Sequence, residues 1–233
     1  MSIMRQIAAR LPRHWQNELK RIHYRRQIRR GTFVSDEPEF SMLSEVVAPG
    51  DWVVDVGANV GFYTKRLAEL VGPEGRVLAF EPVPETFLQL ANNLDSCRLS
   101  NVTVFNAAVS ETTGVAGMSI PEYSDIGQRN YYQAHLTAQA DSELRILTIS
   151  LDAIQIPTVI RLIKIDAEGH EFSVLKGMQK ILLRDHPILI VEAPRIEVWK
   201  LLESLDYIST TLPESPNVVF HQYDLRWKKL DSR

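Results

Sequence analysis

Apolar runs alternate along the chain with segments whose apolar residues recur every three or four positions. The runs predict buried β-strands at 52–56, 76–81, 101–109, 159–166 and 187–193. The periodic segments between them predict helices at 59–71, 84–93, 171–183 and 195–204. Such alternation is typical of an α/β fold with a doubly wound, mostly parallel sheet. Two later runs, 207–212 and 217–224, predict an antiparallel hairpin at its edge.

Residues 110–150 interrupt this alternation. Two strand-like runs, 115–120 and 143–149, enclose a segment without a period that is rich in aromatic and amide side chains. A long irregular segment inside a compact domain is usually a lid or a binding loop. We expect residues 121–141 to form a loop that binds the second substrate, the acceptor molecule. The side chains expected to contact it are Tyr123, Tyr131, Tyr132, Gln133 and His135. A disordered loop is the alternative.

The first 30 residues differ from the rest of the chain in charge. They hold nine Lys or Arg and one Glu, a net charge of +8, whereas the whole chain carries −3. Apolar residues recur there at helical steps that Pro12 interrupts: Ile3, Ile7, Leu11, Trp15, Leu19 and Ile22. We predict a basic amphipathic helical segment at 1–30 and a catalytic domain at 31–233. The segment either covers the domain with a solvated basic face or contacts a membrane surface, a partner or nucleic acid.

Composition limits the class of protein. The chain has 233 residues, 45% hydrophobic and 24% charged, which is enough for one globular core. Cys97 is the single cysteine, so a disulfide framework within the chain is excluded and a cysteine metal site is disfavoured. No run approaches the roughly 18 apolar residues of a membrane span, and the N-terminus does not resemble a secretory signal. We expect a cytoplasmic protein; its oligomeric state stays open, with a homodimer through the C-terminal strands as one alternative.

The first strand ends in a turn suited to a cofactor. Asp55 precedes the sequence GANVG, in which Gly57 and Gly61 allow the backbone to turn sharply near a ligand. The spacing differs from the Gly-x-Gly-x-x-Gly of dinucleotide sites, and the chain has no Gly-Lys-Ser/Thr phosphate loop. Glu81 ends the next strand, where an acid can accept the hydroxyls of a ribose. An acid beside the turn favours a cationic amino-acid group, so the pattern favours S-adenosylmethionine over NAD.

A second cluster follows the strand at 159–166. Asp166, Glu168 and His170 lie within five residues at a strand's carboxyl end, which is typical of a catalytic site. The structural alternative is that Asp166 caps the following helix while Glu168 and Glu171 complement its dipole.

These segments resemble the FkbM-type methyltransferases, in the same order: DVGANVGFYT, AFEPVPETFLQLANNL, NVTVFNAAVS, LIKIDAEGHEFSVLKGM and ILIVEA. The resemblance covers about residues 41–193. It implies a class I, Rossmann-like fold that binds S-adenosylmethionine, releases S-adenosylhomocysteine and methylates a hydroxyl of a sugar, glycan or natural product. It also implies a cofactor site in which each part of the ligand has its own residues: Asp55, Gly57, Asn59 and Gly61 at the methionine end, Glu81 at the ribose, and Asn106 and Ala107 at the adenine. Ala58, Phe62 and Pro82 complete the predicted cofactor-binding set.

The resemblance places Asp166 and Glu168 facing the sulfonium and the acceptor. We expect Asp166 to be the general base because of its position at the strand tip, with His170 as the second choice. A Mg²⁺ ion held by Asp166, Glu168 and Glu192 could do the same work, but the spacing gives no closed ligand set, so no metal is favoured.

Three other functions remain open. They are an NAD(P)-dependent oxidoreductase on a similar sheet, an RNA methyltransferase that uses the basic N-terminus, and a binding module without catalysis. The glycine spacing disfavours the first, and the absence of an Asn-Pro-Pro-Tyr type of motif disfavours the second. Retention of the three strand-end acids Asp55, Glu81 and Asp166 disfavours the third.

Overall fold

The structure is a computed structural model, and it describes residues 12–121, 134–137 and 144–222. Its helices are α1 (Arg13–Arg30), α2 (Pro38–Val46), α3 (Phe62–Val71), α4 (Pro84–Cys97), α5 (Glu171–Lys176), α6 (Gln179–Asp185) and α7 (Ile196–Glu203). Its strands are β1 (Trp52–Val56), β2 (Arg76–Phe80), β3 (Val102–Phe105), β4 (Ala108–Val109), β5 (Gly114–Ser119), β6 (His135–Thr137), β7 (Leu144–Ile149), β8 (Ile160–Ile165), β9 (Ile188–Glu192), β10 (Ile208–Thr211) and β11 (Asn217–His221).

Seven of these strands form the main sheet, in the order β10-β11-β9-β8-β1-β2-β3. Five neighbouring strands of this sheet are parallel, namely β3, β2, β1, β8 and β9. Strand β11 runs antiparallel to both β9 and β10. The predicted doubly wound sheet with an antiparallel edge hairpin is therefore confirmed. The strand order reverses between β1 and β8, and ligands of such sheets bind at the carboxyl ends of the strands beside this point.

The core explains why the strand sequences read as continuous apolar runs. Val53 and Leu162 pack on one face of the sheet, with α2 and α3, while Val54 and Ile163 pack on the other face, with α5, α6 and α7. All four side chains have no exposed surface. Because side chains alternate between the faces and both faces are covered, a strand in this position must be apolar at nearly every residue.

The predicted strand at 101–109 is wrong as a single element. β3 ends at Phe105, and β4 belongs to a second sheet with the order β4-β7-β5-β6. The break falls at Asn106, whose side-chain amide donates to the carbonyl oxygens of Glu81 and Pro82, at 2.9 and 3.1 Å. The chain therefore leaves the main sheet at Asn106, where a side-chain amide and no longer the backbone bonds the segment after β2. The strand-like runs at 115–120 and 143–149 form this second sheet as β5 and β7.

The predicted helix at 171–183 is likewise two helices, α5 and α6. Gly177 separates them and lies directly against the backbone of the segment after β4. A Cβ atom at Gly177 would lie 2.0 Å from the carbonyl oxygen of Ser110, so only glycine fits this contact. The close approach of two backbones thus interrupts a pattern that is periodic in sequence.

Helix α1 begins after Pro12 and lies along α4. Gln89 on α4 donates to the carbonyl oxygen of Asn17 at 3.2 Å, and Tyr24 packs edge-on against Phe62, the first residue of α3. Of the apolar residues predicted for this segment, Trp15, Leu19 and Ile22 are exposed, and Ile3, Ile7 and Leu11 lie outside the described residues. In the described part of the chain, no helix is both long and apolar enough to cross a bilayer.

Candidate active site

A cavity of about 370 Å³ opens at the carboxyl ends of β1, β2 and β8. This volume lies within the range of ligand-binding pockets. Eleven of the thirteen predicted site residues line it: Asp55, Gly57, Ala58, Asn59, Phe62, Glu81, Pro82, Ala107, Asp166, Glu168 and His170. The topology therefore brings the two sequence clusters to one site, as the strand-end argument requires.

The other two predicted residues, Gly61 and Asn106, lie behind the lining. Gly61 precedes α3 and lies under Leu90 of α4, where a Cβ atom would come within 2.7 Å of a methyl carbon. Asn106 braces the segment after β2 through the two hydrogen bonds described above. Their predicted cofactor-binding roles stay predictions; in the structure each one shapes a turn whose neighbours line the cavity.

The turn after β1 approaches β8 closely. A Cβ atom at Gly57 would lie 1.8 Å from the carbonyl oxygen of Asp166, and the φ of Gly57 is +75°. Asp166 also donates its backbone N–H to the carbonyl oxygen of Val56 at 3.1 Å. The glycine therefore lets β1 and β8 meet at their tips, which closes the floor of the cavity.

Asp55 is fully buried beneath this turn. Its Oδ2 accepts a hydrogen bond from the hydroxyl of Thr64 at 2.6 Å, whereas its Oδ1 has no hydrogen-bond partner among the described residues. Burial raises the pKa of Asp55, and the nearby Lys164 ammonium opposes that shift. The Oδ1 atom of Asp55 could therefore accept a hydrogen bond from a donor group or a positively charged group of a bound ligand.

Glu81 holds the opposite side of the same turn. Its two oxygens accept the backbone N–H groups of Asn59 and Val83, both at 2.9 Å. Burial raises its pKa to about 7, although both hydrogen bonds favour the charged form. Each oxygen keeps a lone pair, which is what recognition of a ribose by a strand-end acid requires.

Lys164 is the buried cation of the site, and the sequence reading missed it. Its ammonium bonds Asp166 Oδ2 at 2.9 Å and lies 4.8 Å from the centroid of the Tyr63 ring. Burial opposes its charge, but the carboxylates of Asp166 and Asp55 outweigh burial and raise its pKa. A lysine inside the apolar run LIKID, two residues before an acid on the same face of the strand, was the available signal.

Tyr63 connects the charged groups of the cavity to two acids near the start of α2. Its hydroxyl lies 2.6 Å from a carboxylate oxygen of Glu37 and 2.9 Å from one of Glu39. One hydroxyl proton cannot fully serve two carboxylates, so the hydrogen bond of Tyr63 is divided between them. Glu39 also accepts from the hydroxyl of Ser215 at 2.7 Å and from the amide of Asn217. This fully buried acid therefore joins α2 to the last strand.

Three carboxylates gather at the tips of β8 and β9. Oxygens of Asp166, Glu168 and Glu192 lie within 4.8 Å of one another, a spacing that could hold a metal ion. Burial opposes the charge of Asp166, yet Lys164 and a hydrogen bond with Glu192 lower its pKa. The same hydrogen bond, together with burial, raises the pKa of Glu192 to about 8. Asp166 and Glu192 therefore share one proton at neutral pH, and Lys164 already supplies the positive charge.

His170 and Glu168 complete the polar wall. His170 Nε2 lies 2.9 Å from the hydroxyl of Ser110, and burial lowers the pKa of the imidazole. Burial and the charge of Asp166 raise the pKa of Glu168, which has a φ of +51°. The imidazole is therefore uncharged at neutral pH and already has one hydrogen-bond partner.

The remaining wall is apolar and comes from the second sheet. Met118 on β5 and Leu136 on β6 face the cavity with Val83 and Ala107. His135 is the described member of the predicted acceptor set and also lines the cavity. The other predicted acceptor residues, Tyr123, Tyr131, Tyr132 and Gln133, lie outside the described residues. The cavity thus pairs an apolar slot with a wall of charged groups.

Comparison with known proteins is consistent with this geometry. The family model described as the methyltransferase FkbM domain matches residues 55–211. Hexuronic acid methyltransferase AglP of Haloferax volcanii is 30% identical over 145 residues, 60% of this chain and 55% of that protein. Methyltransferase 1 of Beauveria bassiana is 24% identical over 147 residues, 54% of this chain and 58% of that protein. The chain therefore spans about half the length of the curated relatives it matches.

Two solved structures show the same fold. A methyltransferase FkbM from Methylobacillus flagellatus superposes with a TM-score of 0.53 at 22% identity, over 79% of this chain and 50% of that one. A putative methyltransferase from Streptococcus mutans, solved with S-adenosylhomocysteine, superposes with a TM-score of 0.51 at 15% identity. The match covers 82% of this chain and 99% of that one. At these identities the likeness concerns the fold alone, which is that of the class I methyltransferases.

Proposed function

The chain belongs to the FkbM methyltransferase family, and from that premise we propose that it moves a methyl group from S-adenosylmethionine to a hydroxyl group of a sugar, glycan or natural product. One observation carries this proposal. The cavity joins a turn suited to the cofactor with a cluster of carboxylates and one lysine, at the same edge of the sheet. When bound, the cofactor supplies a methyl group on a positively charged sulfur.

The cofactor fits the residues that are present. The Oδ1 atom of Asp55 can accept a hydrogen bond from the ammonium of the methionine part, because it has no partner among the described residues. Glu81 can accept the ribose hydroxyls with the lone pairs that its backbone bonds leave unused. Val83, Ala107 and Met118 offer an apolar slot for the adenine ring. Gly57 keeps the turn close to β8, because a Cβ atom there would lie 1.8 Å from the carbonyl oxygen of Asp166.

The chain must also take the proton that the attacking hydroxyl loses. We assign this proton to the Asp166–Glu192 pair, which holds one proton at neutral pH and releases it near pH 8. The ionised pair can then accept the proton of the attacking hydroxyl, and the cofactor, when bound, would supply the methyl group that replaces it. Lys164 stabilises the negative charge that develops on the oxygen, because its ammonium lies beside Asp166.

The nature of the acceptor is the finer part of the proposal. His135, Glu168 and His170 present hydrogen-bonding groups on one side of the cavity, as a polyhydroxylated ligand requires. The relative AglP is named for methylation of a hexuronic acid, and this chain shares 30% identity with it over 145 residues. A sugar acid or a related sugar is therefore the acceptor class to test first.

The first test is calorimetric titration with S-adenosylhomocysteine, with NAD as the control. We expect binding of the former alone, in the micromolar range or tighter. Asp166→Asn should abolish methylation of an active sugar acceptor and leave the affinity for S-adenosylhomocysteine within a few-fold of the native value. Binding of NAD in preference, or full activity in Asp166→Asn, would overturn the assignment.

The pH profile separates the two candidate bases. If the pair accepts the proton, kcat/KM rises with pH and reaches a plateau above about 8. If His170 accepts it, the rise occurs below the ordinary histidine pKa of 6.5, because burial lowers its pKa. Glu192→Gln should remove the step near pH 8, whereas Ser110→Ala should leave that step in place.

A further inference from the structure

Helix α1 carries three large apolar side chains on the outside of the molecule. Trp15, Leu19 and Ile22 are 56%, 44% and 43% exposed. They stand at steps of four and three residues, so they form one stripe along the helix. Arg26 and Arg29 continue the same stripe towards the end of α1, and both are exposed.

The opposite face of α1 binds the domain mostly through polar groups. Gln89 bonds the backbone of Asn17, and Arg25 donates to the hydroxyl of Ser96 at 3.4 Å. Tyr24 adds a ring contact with Phe33 at 5.9 Å between centroids. Among the described residues, the apolar stripe therefore points away from the domain, which is the reverse of a helix that covers a core.

The helix is also the positive pole of the protein. Residues 13–30 hold seven Lys or Arg and one acid, a net charge of +6, and the rest of the chain therefore carries −9. The acid, Glu18, is paired with Arg21 at 2.6 Å. A surface that combines an exposed tryptophan, two aliphatic side chains and many arginines fits an interface that is both apolar and anionic.

We propose that α1 docks the protein on an anionic lipid bilayer. Trp15, Leu19 and Ile22 enter the boundary between headgroups and acyl chains, while Arg26, Arg29 and Arg30 bind lipid phosphates. A second copy of the chain fits this surface less well, because two helices of charge +6 would meet. Nucleic acid would satisfy the arginines but gives no environment for the leucine and the isoleucine.

The test uses the full chain and vesicles of two compositions. We expect co-sedimentation with vesicles that contain phosphatidylglycerol, and at least about tenfold weaker binding to phosphatidylcholine alone. Binding to the anionic vesicles should weaken as salt rises. The triple variant Trp15→Ser, Leu19→Ser, Ile22→Ser should bind them at least about tenfold more weakly. A matched control, Leu183→Ser, replaces a leucine that is 61% exposed on α6 and should bind like the native chain.

Titration of each variant with S-adenosylhomocysteine checks that the domain is folded and leaves the catalytic proposal independent of the docking result. Three outcomes would overturn the proposal. The first is no binding to anionic vesicles, and the second is equal loss in the triple variant and in Leu183→Ser. The third is a different partner, seen as RNA binding without vesicle binding or as a dimer that the triple variant dissociates.

Discussion

Replacement of Gly57 by alanine tests how closely the tips of β1 and β8 approach. The new Cβ atom would lie 1.8 Å from the carbonyl oxygen of Asp166, whereas ordinary contacts of this kind begin at 3.4 Å. The two strand tips must therefore separate by about 1.6 Å, the difference between these distances. Such a shift lengthens the hydrogen bond between Asp166 and Val56 and displaces the Lys164 ion pair that Asp166 holds.

The expected cost has two parts. An alanine held at positive φ costs about 1–2 kcal/mol, and forced overpacking adds about 1–3 kcal/mol. We therefore expect Gly57→Ala to lower the free energy of unfolding by about 2–5 kcal/mol and to weaken S-adenosylhomocysteine binding at least tenfold. Urea unfolding and calorimetric titration measure the two effects on the same preparation.

Gly31→Ala is the matched control, because Gly31 has a φ of +69° and a Cβ atom there would meet nothing within 4 Å. It should show the cost of the backbone alone, about 1–2 kcal/mol, with unchanged binding. The reasoning is refuted if the two variants lose the same stability and Gly57→Ala still binds S-adenosylhomocysteine as the native protein does.

Three further predictions concern the charged network. Lys164→Met should lower the free energy of unfolding by about 3–5 kcal/mol at pH 8, because it leaves buried carboxylates unpaired. The loss should be smaller at pH 5.5, where these carboxylates take up protons, and urea unfolding at both pH values measures the difference. Burial raises the pKa of Glu81 to about 7, so the folded protein keeps a proton that the unfolded chain loses above the ordinary glutamate pKa of 4.5. Stability contributed by this group should therefore fall as pH rises from 4.5 to about 7, and Glu81→Gln should remove that part of the slope in urea titrations. Tyr63→Phe should lower the free energy of unfolding by about 1–3 kcal/mol, because buried Glu39 loses a donor. Tyr207→Phe removes a buried hydroxyl that has no partner among the described residues, so it should leave the stability unchanged. Thermal unfolding of both variants measures the difference.

Each of these predictions has an opposing result. An equal loss for Lys164→Met at both pH values would mean that the carboxylates do not depend on its charge. An unchanged slope in Glu81→Gln would place the titration on another group. Equal losses for the two tyrosine variants would show that the bond to Glu39 contributes nothing.

Much of the fold follows from the sequence because both faces of the main sheet are covered. Strands such as β1 and β8 must then be apolar at nearly every position, which makes them visible as runs. The strand-end acids Asp55, Glu81 and Asp166 could also be found, because parallel strands bring their carboxyl ends to one edge.

The failures have local causes that a one-dimensional pattern does not contain. The break at Asn106 depends on two carbonyl groups that only the folded turn presents, and the break at Gly177 depends on contact with the backbone of Ser110. Lys164 reads as a strand interruption until its acidic neighbours are placed around it. The orientation of α1 stayed open in the sequence, because periodicity identifies an apolar stripe and not the side of the helix that meets the domain.

The strand order also determines when the site can exist during synthesis. A ribosome makes β1 and Glu81 early, but β8, which lies beside β1 and carries Lys164, begins at residue 160. Two of the donors to buried Glu39, Ser215 and Asn217, come later still, because they lie 176 and 178 residues further along the chain. A nascent chain that already contains the whole glycine turn therefore has its buried acids without their cation and without their last donors. The candidate site is therefore assembled late in translation, after the strands that carry Lys164, Asp166 and Glu192 have been made.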